Sequence, residues 1–389
     1  MLAKRPQWGI ILDTFTPVLA VLAALLIGAL MLMALDVNPI RAYSALVTGA
    51  FGSTNAIADT IVKATPLLFV GLGICIAFRG GVINIGGEGQ MIIGALGTTA
   101  FALALPDAPP GIIIPASLLL GFVLGGLYGG IAGFLKAYFG VNEILTTVML
   151  NSIAVQLMNF LLRGPMIDPD QFGRASRIPQ TARLSAAFDL PRLVPTRLHA
   201  GAFIAVALAI LVYIFLWRTT IGYRIRAVGL NREASRYAGI NTKRYMVLSL
   251  ALSGAFAGLA GAVQVLGLYH RMVTDGSPGG FTGSAGFNGI VAALFGQLHP
   301  LGTIPAAFFF GALLVGANSM QRAVQIPAAL ITALNGLVVV FVVSSELWRR
   351  RRARRREMQA AAEITHAAQP VTPTPLEAVK SLNSFPQPS

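Results

Sequence analysis

The sequence is poor in charged residues and in cysteine. Only 11% of its 389 residues are Asp, Glu, Lys or Arg, whereas 55% are hydrophobic and the mean hydropathy is +0.71. Soluble domains carry about a quarter charged residues, so this composition excludes an ordinary soluble protein. Disordered chains are poor in apolar residues, which excludes disorder for most of the chain. The single cysteine, Cys75, excludes a disulfide framework and a cysteine-based zinc site.

Histidine is also scarce, and its distribution argues against a metal site. The four histidines, at positions 199, 270, 299 and 366, are too scattered to form a ligand cluster of their own. The formal net charge of +14 would suit nucleic acid only if it lay on a solvated basic domain. Here the cations lie between apolar blocks, so we expect no metal, no cofactor and no nucleic-acid partner for this chain.

Long apolar runs are abundant, and they predict membrane-spanning helices. The hydrocarbon core of a bilayer is about 30 Å thick, so a spanning helix needs about 20 mostly apolar residues. Nine runs meet this criterion: Pro17–Leu35, Ile57–Phe78, Val82–Leu105, Ile112–Tyr138, Ile144–Leu162, Ala200–Trp217, Tyr245–Leu266, Ile304–Met320 and Pro327–Ser345. A shorter run, Gly289–Leu298, predicts a half-span or a broken helix. We therefore predict an all-α polytopic membrane protein with about ten transmembrane helices.

The distribution of Lys and Arg predicts the orientation, because cytoplasmic loops carry an excess of both. With both termini in the cytoplasm, 19 of the 29 cations lie on the cytoplasmic side, although six arginines of loop 163–199 lie on the other side. We predict a cytoplasmic N-terminus (1–16), then a transmembrane domain (17–348), then a basic and finally disordered cytoplasmic tail (349–389). Within the domain, loop 163–199 is extracytoplasmic and loop 218–244 is cytoplasmic. The sequence assigns no role to loop 163–199 or to the tail.

A glycine-rich segment, Gly80–Gln90, carries polar residues at the start of a predicted span. Five glycines stand beside Asn84, Glu88 and Gln90, and glycine permits positive φ and close backbone approach. Polar groups inside a membrane are costly and must find partners or water. Two interpretations stay open. The segment packs tightly, with Glu88 bonded to backbone or to a buried arginine, or it lines a substrate path.

A second polar group begins the span that follows residue 141. Its members are Asn142, Glu143, Thr147, Asn151, Ser152, Gln156 and Asn159. From Asn151 onwards the spacing of three and four residues places them on one helix face. We expect this face to look inward, because a polar stripe toward lipid would be expensive. The number of polar residues favours a path-lining face over hydrogen bonds that only join helices.

A stripe of small residues marks a third predicted helix. Gly121, Gly125, Gly129 and Gly133 recur at every fourth position, and Ser253, Ala257 and Gly261 repeat the pattern in a later span. Such a stripe lets the backbone of a neighbouring helix approach closely. We predict a packing role for these glycines and no ligand.

The basic loop Arg218–Arg244 contains a short helix-forming stretch, with Asn231 as a suitable N-cap and Gly239 as a suitable stop. A short helix across the cytoplasmic face is what a membrane domain needs in order to receive force from a soluble motor. The predicted contact residues are Asn231, Arg232, Glu233, Ala234, Arg236, Tyr237 and Gly239. The chain has no GxxxxGKS/T motif and no nucleophile–base set. We therefore expect it not to be an enzyme and to take its energy from another chain or from an ion gradient.

Three segments resemble the permease subunits of bacterial ABC importers, in the group of branched-chain amino acid, ribose and nucleoside permeases. They are FRGGVINIGGEGQMIIGA at Phe78–Ala95, GVNEILTTVMLN at Gly140–Asn151 and GLNREASRYAGINTKRY at Gly229–Tyr245. The GGVINIGGEGQ form is most similar to permeases for nucleosides such as guanosine. The resemblance covers residues 57–345, which is nearly all of the predicted membrane domain.

The resemblance implies a ten-helix domain similar to the vitamin B12 importer type, in the inner membrane of a bacterium. It also implies four kinds of partner: the lipid bilayer, a second permease that is a different chain, two ATP-binding subunits on the cytoplasmic face, and an extracytoplasmic solute-binding protein or lipoprotein. Asn231–Gly239 would then be the coupling helix. Two related halves are implied as well, because Gly80–Ala95 and Gly283–Gly296 each join a glycine-rich entry with an asparagine to a short apolar helix.

Together these features predict a pathway subunit for a nucleoside or a related ribose-bearing solute, because Asn, Gln and Thr side chains suit a polar, uncharged molecule. A simple sugar is the alternative cargo. A stand-alone transporter driven by an ion gradient is a different class; it would need carboxylates inside the membrane, and only Glu88 and Glu143 qualify. A membrane enzyme would need catalytic residues that the sequence does not offer.

Overall fold

The computed structural model describes residues 7–172 and 177–327, together with residues 330, 333, 334, 336–338, 340, 341, 344, 345 and 358. The chain divides into two compact units, residues 17–343 and the two ends 1–16 and 344–389. In the second unit, residues 7–16, 344, 345 and 358 are described, and they are helical. The predicted tail 349–389 lies, except for residue 358, outside the described residues.

The described residues fold almost entirely into helices. In chain order these are α1 (Gln7–Met33), α2 (Pro39–Phe51), α3 (Thr54–Arg79), α4 (Gly87–Ala104), α5 (Pro110–Phe139), α6 (Glu143–Arg163), α7 (Gly201–Arg218), α8 (Thr220–Leu230), α9 (Arg232–Tyr237), α10 (Thr242–Gln264), α11 (Pro278–Thr282), α12 (Ala285–Phe295) and α13 (Pro300–Val324). A π turn, Val265–Tyr269, continues α10. The described ranges contain no β-strand, only two isolated bridges, Gln180 with Val273 and Arg192 with His199.

Six helices are long and apolar enough to cross a membrane: α3, α5, α6, α7, α10 with its π turn, and α13. The predicted class, an all-α multi-pass membrane protein, is therefore confirmed. Two shorter apolar helices, Val21–Met33 within α1 and α12, accompany these six. Of the last predicted span, 327–345, the structure describes only scattered positions beyond residue 327.

Side-chain caps mark the start of two helices, α2 and α8, that the hydrophobic runs do not predict. Asn38 caps α2 by accepting a hydrogen bond from the N–H of Ile40 at 2.9 Å. Thr219 caps α8 in the same way, through the N–H of Gly222 at 3.1 Å.

The predicted span from Val82 is wrong at its start, because residues 82–86 are not helical and α4 begins at Gly87.

The central helix of the described bundle is α10, which packs against α3, α4 and α5. The stripe Gly121, Gly125, Gly129 and Gly133 of α5 lies against α10, where Gly254 and Gly258 form the opposing surface. Ser253 and Gly261 lie toward α3 and α4 instead. Without side chains between them, the two backbones come close enough for extensive van der Waals contact, which is a main source of helix association in lipid.

The bundle has two distinct ends. At the first, which we call the α9 end, α3 finishes and α13 begins, and the Arg79 side chain donates to the carbonyl oxygen of Leu298 at 3.3 Å. At the second, which we call the loop end, the start of α3, the end of α10 and the end of α13 meet the loop between α6 and α7. The candidate sites described below lie between these ends and at each of them.

Two neighbouring glycines of α5 test the contact with α10. A Cβ at Gly129 would lie 2.6 Å from the carbonyl oxygen of Leu250, whereas one at Gly130 would lie 3.6 Å from Cβ of Ala251. We expect Gly129→Ala to lower the free energy of unfolding by about 1–3 kcal/mol, because the helices must separate. Gly130→Ala should be neutral or slightly stabilising, because alanine favours the helix. Thermal unfolding of detergent-purified protein measures both; equal melting temperatures would contradict the contact.

Candidate functional site

The segment between α3 and α4 is non-helical backbone inside the bundle. Gly81 turns the chain with φ +71°, and residues 82–86 lead to the first residue of α4, with Val82, Asn84 and Gly86 buried. Such a segment leaves backbone N–H and C=O groups without helical partners. Inside a membrane, each unpaired group costs several kcal/mol. The polar side chains around the segment supply those partners.

Asn84 forms the hydrogen bonds that fix the turn into α4. Its Oδ1 accepts from the N–H of Gly86 at 2.8 Å, while its Nδ2 donates to Oε1 of Gln90 and to Oγ of Ser253, each at 2.8 Å. The side chain is 1% exposed. Asn84 therefore joins the segment to the second turn of α4 and to α10.

Residues of α6 hold the segment from the other side. Oδ1 of Asn151 accepts from the N–H of Gly89 at 2.8 Å, and its Nδ2 donates to the carbonyl oxygen of Ile85 at 2.9 Å. The hydroxyl of Thr147 accepts from the N–H of Ile85 at 3.3 Å. These two predicted residues thus bond backbone groups of Ile85 and Gly89 that no helix satisfies.

Glu88 lies where the first turns of two short helices meet. Its Oε1 accepts from the N–H of Phe287 in α12 at 3.1 Å, and the side chain is 1% exposed. Its Oε2 has no hydrogen-bond partner in the described part of the chain. A Cβ at Gly87 would lie 3.1 Å from Cα of Gly286, so the helix starts touch. The Glu88 carboxyl group thus lies where the electropositive N-termini of α4 and α12 meet.

The junction brings together the two segments that the sequence suggests are related. Gly80–Ala95 includes the first part of α4, which runs on to Ala104 and is longer than the short helix expected there, whereas Gly283–Gly296 contains all of α12. Glu88 bonds α4 to α12. Asn288, the counterpart of Asn84 in the sequence comparison, lies in the first turns of α12.

The remaining predicted path residues are dispersed. Asn142 is the N-cap of α6 and accepts from the N–H of Ile144 at 2.9 Å, and Glu143 pairs with Lys136 at 2.8 Å. Ser152 and Gln156 are exposed on this chain, whereas Asn151 is buried. On α6, Asn151 therefore lies on a buried side, where it binds backbone, whereas Ser152 and Gln156 lie on an exposed side. The predicted single inward face is in fact two adjacent stripes.

Two cavities open at the ends of the bundle, and neither is lined by the predicted path residues. One, of about 660 Å³, lies at the α9 end beside Arg79, Gln297 and His299. The other, of about 570 Å³, lies at the loop end. Within this chain, Asn84 and Asn151 act as partners of backbone. Their role in a substrate path stays a prediction.

The predicted short helix of the basic loop is present as α9. Oδ1 of Asn231 caps it by accepting from the N–H of Ala234 at 3.0 Å, and Gly239 ends it with φ +76°. The predicted N-cap and stop are thus confirmed. Glu233, Arg236 and Tyr237 are exposed, and the Tyr237 side chain reaches 92% exposure. The helix offers a free outer surface on this chain.

Arg232 connects α9 to the turn that precedes α4. Its Nη2 donates to the carbonyl oxygen of Gly81 at 2.8 Å, and Gly229 lies against the backbone of Arg79 and Gly81. Sequence reasoning missed this contact because 151 residues separate its partners.

Arg79 also belongs to a cation–aromatic cluster, in which the guanidinium groups of Arg79 and Arg226 lie 5.3 and 5.5 Å from the centre of the Trp217 ring.

The loop between α6 and α7 is anchored on the end of α10. The N–H groups of Thr181, Leu184 and Leu190 donate to the carbonyl oxygens of Met272, His270 and Leu266. The loop closes at His199, which is buried and whose Nδ1 accepts from the N–H of Gly201 at 3.2 Å. Burial, with a smaller contribution from His270, lowers the pKa of His199 to about 4. The ring is therefore neutral at pH 7 and keeps Nδ1 available as an acceptor.

Comparison with known proteins places the chain in one family. Residues 56–343 match the family described as branched-chain amino acid transport system, permease component. The chain is 36% identical to the glucose ABC transporter permease protein of Haloferax volcanii over 358 residues, which cover 89% of this chain and 90% of that protein. It is 35% identical to the guanosine ABC transporter permease protein of Bacillus subtilis over 329 residues, or 85% and 92% of the two chains.

A third relative is similar over most of its length. The nucleoside ABC transporter permease protein of Lactococcus lactis is 32% identical over 335 residues, which cover 84% of this chain and 89% of that protein. No solved structure matches the sequence.

Leucine has nearly the shape of asparagine but its side chain forms no hydrogen bonds, so it tests the bonds of Asn151. Asn151→Leu leaves the N–H of Gly89 and the carbonyl oxygen of Ile85 unpaired in a buried place, so we expect a loss of about 2–4 kcal/mol in the free energy of unfolding. Ser152→Ala, at the exposed neighbouring position, should change it little. Thermal unfolding in detergent compares the two variants, and a similar small effect in both would refute the role of Asn151.

The acceptor role of His199 predicts a dependence of stability on pH. Between pH 6.5 and about 4 the unfolded chain takes up a proton at His199 that the folded chain resists. The free energy of unfolding should therefore decrease by up to about 3 kcal/mol as the pH is lowered from 6.5 to about 4. His199→Asn keeps an acceptor for Gly201 but does not titrate. Its melting temperature should vary less with pH than that of the wild type, and equal pH dependence would exclude this origin.

Proposed function

The chain belongs to the family of permease components of branched-chain amino acid transport systems, and from this membership we propose that it forms the membrane pathway of an ABC importer for a nucleoside or a related ribose-bearing solute. The observation that carries the proposal is 32–35% identity, over 84–85% of this chain, with permeases named for guanosine and for nucleosides. The relative named for glucose supports a simple sugar as the alternative cargo.

In this proposal two ATP-binding subunits dock on α9, and ATP is hydrolysed outside this chain. The exposed Tyr237 supports a docking role, because a projecting aromatic ring is a typical anchor in a partner's pocket. Arg232 links α9 to Gly81 and so to the start of α4. Closure of the ATPase pair would move α9, and this bond would pass the displacement to the junction between α4 and α12.

The proposed docking of ATPases on α9 also gives the orientation of the chain in the membrane. The α9 end faces the cytoplasm, where ATP is available, and the loop end faces outward from the inner membrane of a bacterium. Both termini are then cytoplasmic. Adding α1, α4, α12 and the run 327–345 to the six long apolar helices gives ten spans, as in the vitamin B12 importer type.

A second permease, which we take to be a different chain, would cover the exposed polar side of α6. Ser152 and Gln156 lie on that side, and polar groups that face lipid are expensive. An aqueous path between two permeases removes this cost and gives both side chains a solute to bind. A solute-binding protein or lipoprotein would deliver the cargo at the loop end.

A stand-alone transporter driven by an ion gradient is less well supported. That class needs membrane carboxylates that exchange protons or ions along a path. Glu143 is paired with Lys136, and Glu88 bonds the backbone of Phe287. Both carboxylates therefore serve contacts that hold the helices of this chain.

Reconstitution tests the proposal directly. The complex is purified from its native membrane, its ATP-hydrolysing subunits are identified, and it is placed in liposomes with the solute-binding protein. We expect uptake of radiolabelled guanosine that requires ATP and that unlabelled nucleosides inhibit more strongly than glucose. Preferential inhibition by glucose would select the alternative cargo. Uptake by the chain alone, without ATP, would overturn the ABC mechanism.

Two substitutions in the basic loop should impair ATP-driven uptake for different reasons. Tyr237→Asp removes the proposed anchor, so we expect ATPase subunits to be lost during purification, with binding weakened by about thirtyfold or more. Arg232→Gln leaves the exposed surface of α9 unchanged, so the subunits should stay bound while ATP-driven uptake falls. Subunit stoichiometry and uptake are measured on the same preparations.

The matched control for the anchor is Phe172→Asp, which places a carboxylate at an exposed aromatic position of the opposite loop. It should retain its ATPase subunits. If Tyr237→Asp also retains them, α9 is not the docking helix. If Arg232→Gln transports at the wild-type rate, the bond to Gly81 does not carry the coupling.

A further inference from the structure

The cavity at the loop end has a strongly positive wall. It encloses about 570 Å³ between the start of α3, the loop 164–200, the π turn and the end of α13. Five cations line it: Lys63, Arg183, Arg192, Arg197 and Arg322. Asp59 is the one carboxylate among its described lining residues. Lys63 is half-buried in the wall formed by α3, and the four arginines are exposed around the mouth.

Among the described lining residues, five cations face a single carboxylate, Asp59, which lies one helical turn from Lys63. Across the described ranges, ion pairs join Lys136 to Glu143 and His270 to Asp189. His270 also lines the cavity, but within those ranges none of the five Lys and Arg side chains belongs to an ion pair. Like charges that share a cavity repel one another and focus a positive potential into it. The cavity is thus an electrostatically unbalanced site, and a bound anion would relieve the repulsion.

The position of the arginines adds a second observation, which rests on the orientation proposed above. Under the orientation proposed above, loop 164–200 is exported, and the positive-inside rule disfavours arginine in a short exported loop. Arg183, Arg192 and Arg197 nevertheless lie in this loop and converge on the cavity. Cations that oppose the topology signal and also meet at one place indicate a binding role there.

We propose that this cavity binds an anion of the phosphate class, either the headgroup of an anionic phospholipid or a soluble phosphate ester. The volume is that of a small-molecule site. Arginine matches phosphate through parallel N–H···O bonds. A phosphate monoester offers up to about two negative charges and three acceptor oxygens, whereas a single carboxylate would leave most of the positive charge unmet. Tyr269 and Asn318 offer an aromatic face and an amide to the uncharged part.

The test uses the purified full-length chain in detergent, with its partner subunits, and measures binding without transport. Inorganic phosphate is the soluble probe, titrated against chloride at equal ionic strength and followed by melting temperature. Phosphatidylglycerol is the lipid probe, compared with phosphatidylcholine by native mass spectrometry. The variants are Lys63→Gln and the double variant Arg192→Gln/Arg197→Gln. Arg177→Gln is the matched control, because Arg177 belongs to the same loop but does not line the cavity.

We expect wild-type protein to bind at least one probe, and affinity to fall about fivefold for each cation removed, or about 25-fold in the double variant. The control should bind like the wild type. Binding of phosphatidylglycerol alone identifies a lipid site, and binding of phosphate to lipid-free protein identifies a soluble ester; either supports the proposal. Equal weakening in Arg177→Gln, or binding of neither probe by well-folded wild type, overturns it. Because no ATP is involved, this result is independent of whether the chain imports nucleosides.

Discussion

Backbone that leaves the helical conformation inside a membrane must find hydrogen-bond partners within the protein, and residues 82–86 are where this constraint acts most strongly on the chain. Asn84 and Asn151 satisfy the segment from opposite sides. Their side chains join the segment to α4, α6 and α10. The constraint also explains the glycines, because a side chain at Gly86 or Gly89 would displace the partners that the backbone needs.

The same segment joins two sites that lie at different depths in the bundle. At the α9 end it begins at Gly81, whose carbonyl oxygen binds Arg232. At its other end it leads into Glu88, which bonds α4 to α12. Only a few residues separate the two contacts. If α9 couples to ATPase subunits as proposed, a displacement of α9 would reach the junction of α4 and α12 through this short extended segment.

Sequence patterns predicted the features that depend on neighbours along the chain. Apolar runs located the spanning helices, and cap residues located α9 between Asn231 and Gly239. The patterns failed where a distant partner decides the structure. The non-helical residues after Val82 are stabilised by side chains of α6 and α10, and a hydrophobicity profile records none of these bonds. The cavity at the loop end has the same origin, because its cations come from separate parts of the chain.

The backbone contact between α5 and α10 has a mechanical consequence. It extends from Gly121 to Gly133, about 18 Å of helix, along which four glycines of α5 lie against the backbone of α10. Side-chain rotation can absorb little movement where backbone lies against backbone, so we expect the two helices to tilt together. Thr242–Gln264 is about 35 Å long, so a tilt of about 10° at one end displaces the other by about 6 Å. Under the proposed function, a modest push beside α9 would thereby be amplified into an opening wide enough for a small molecule.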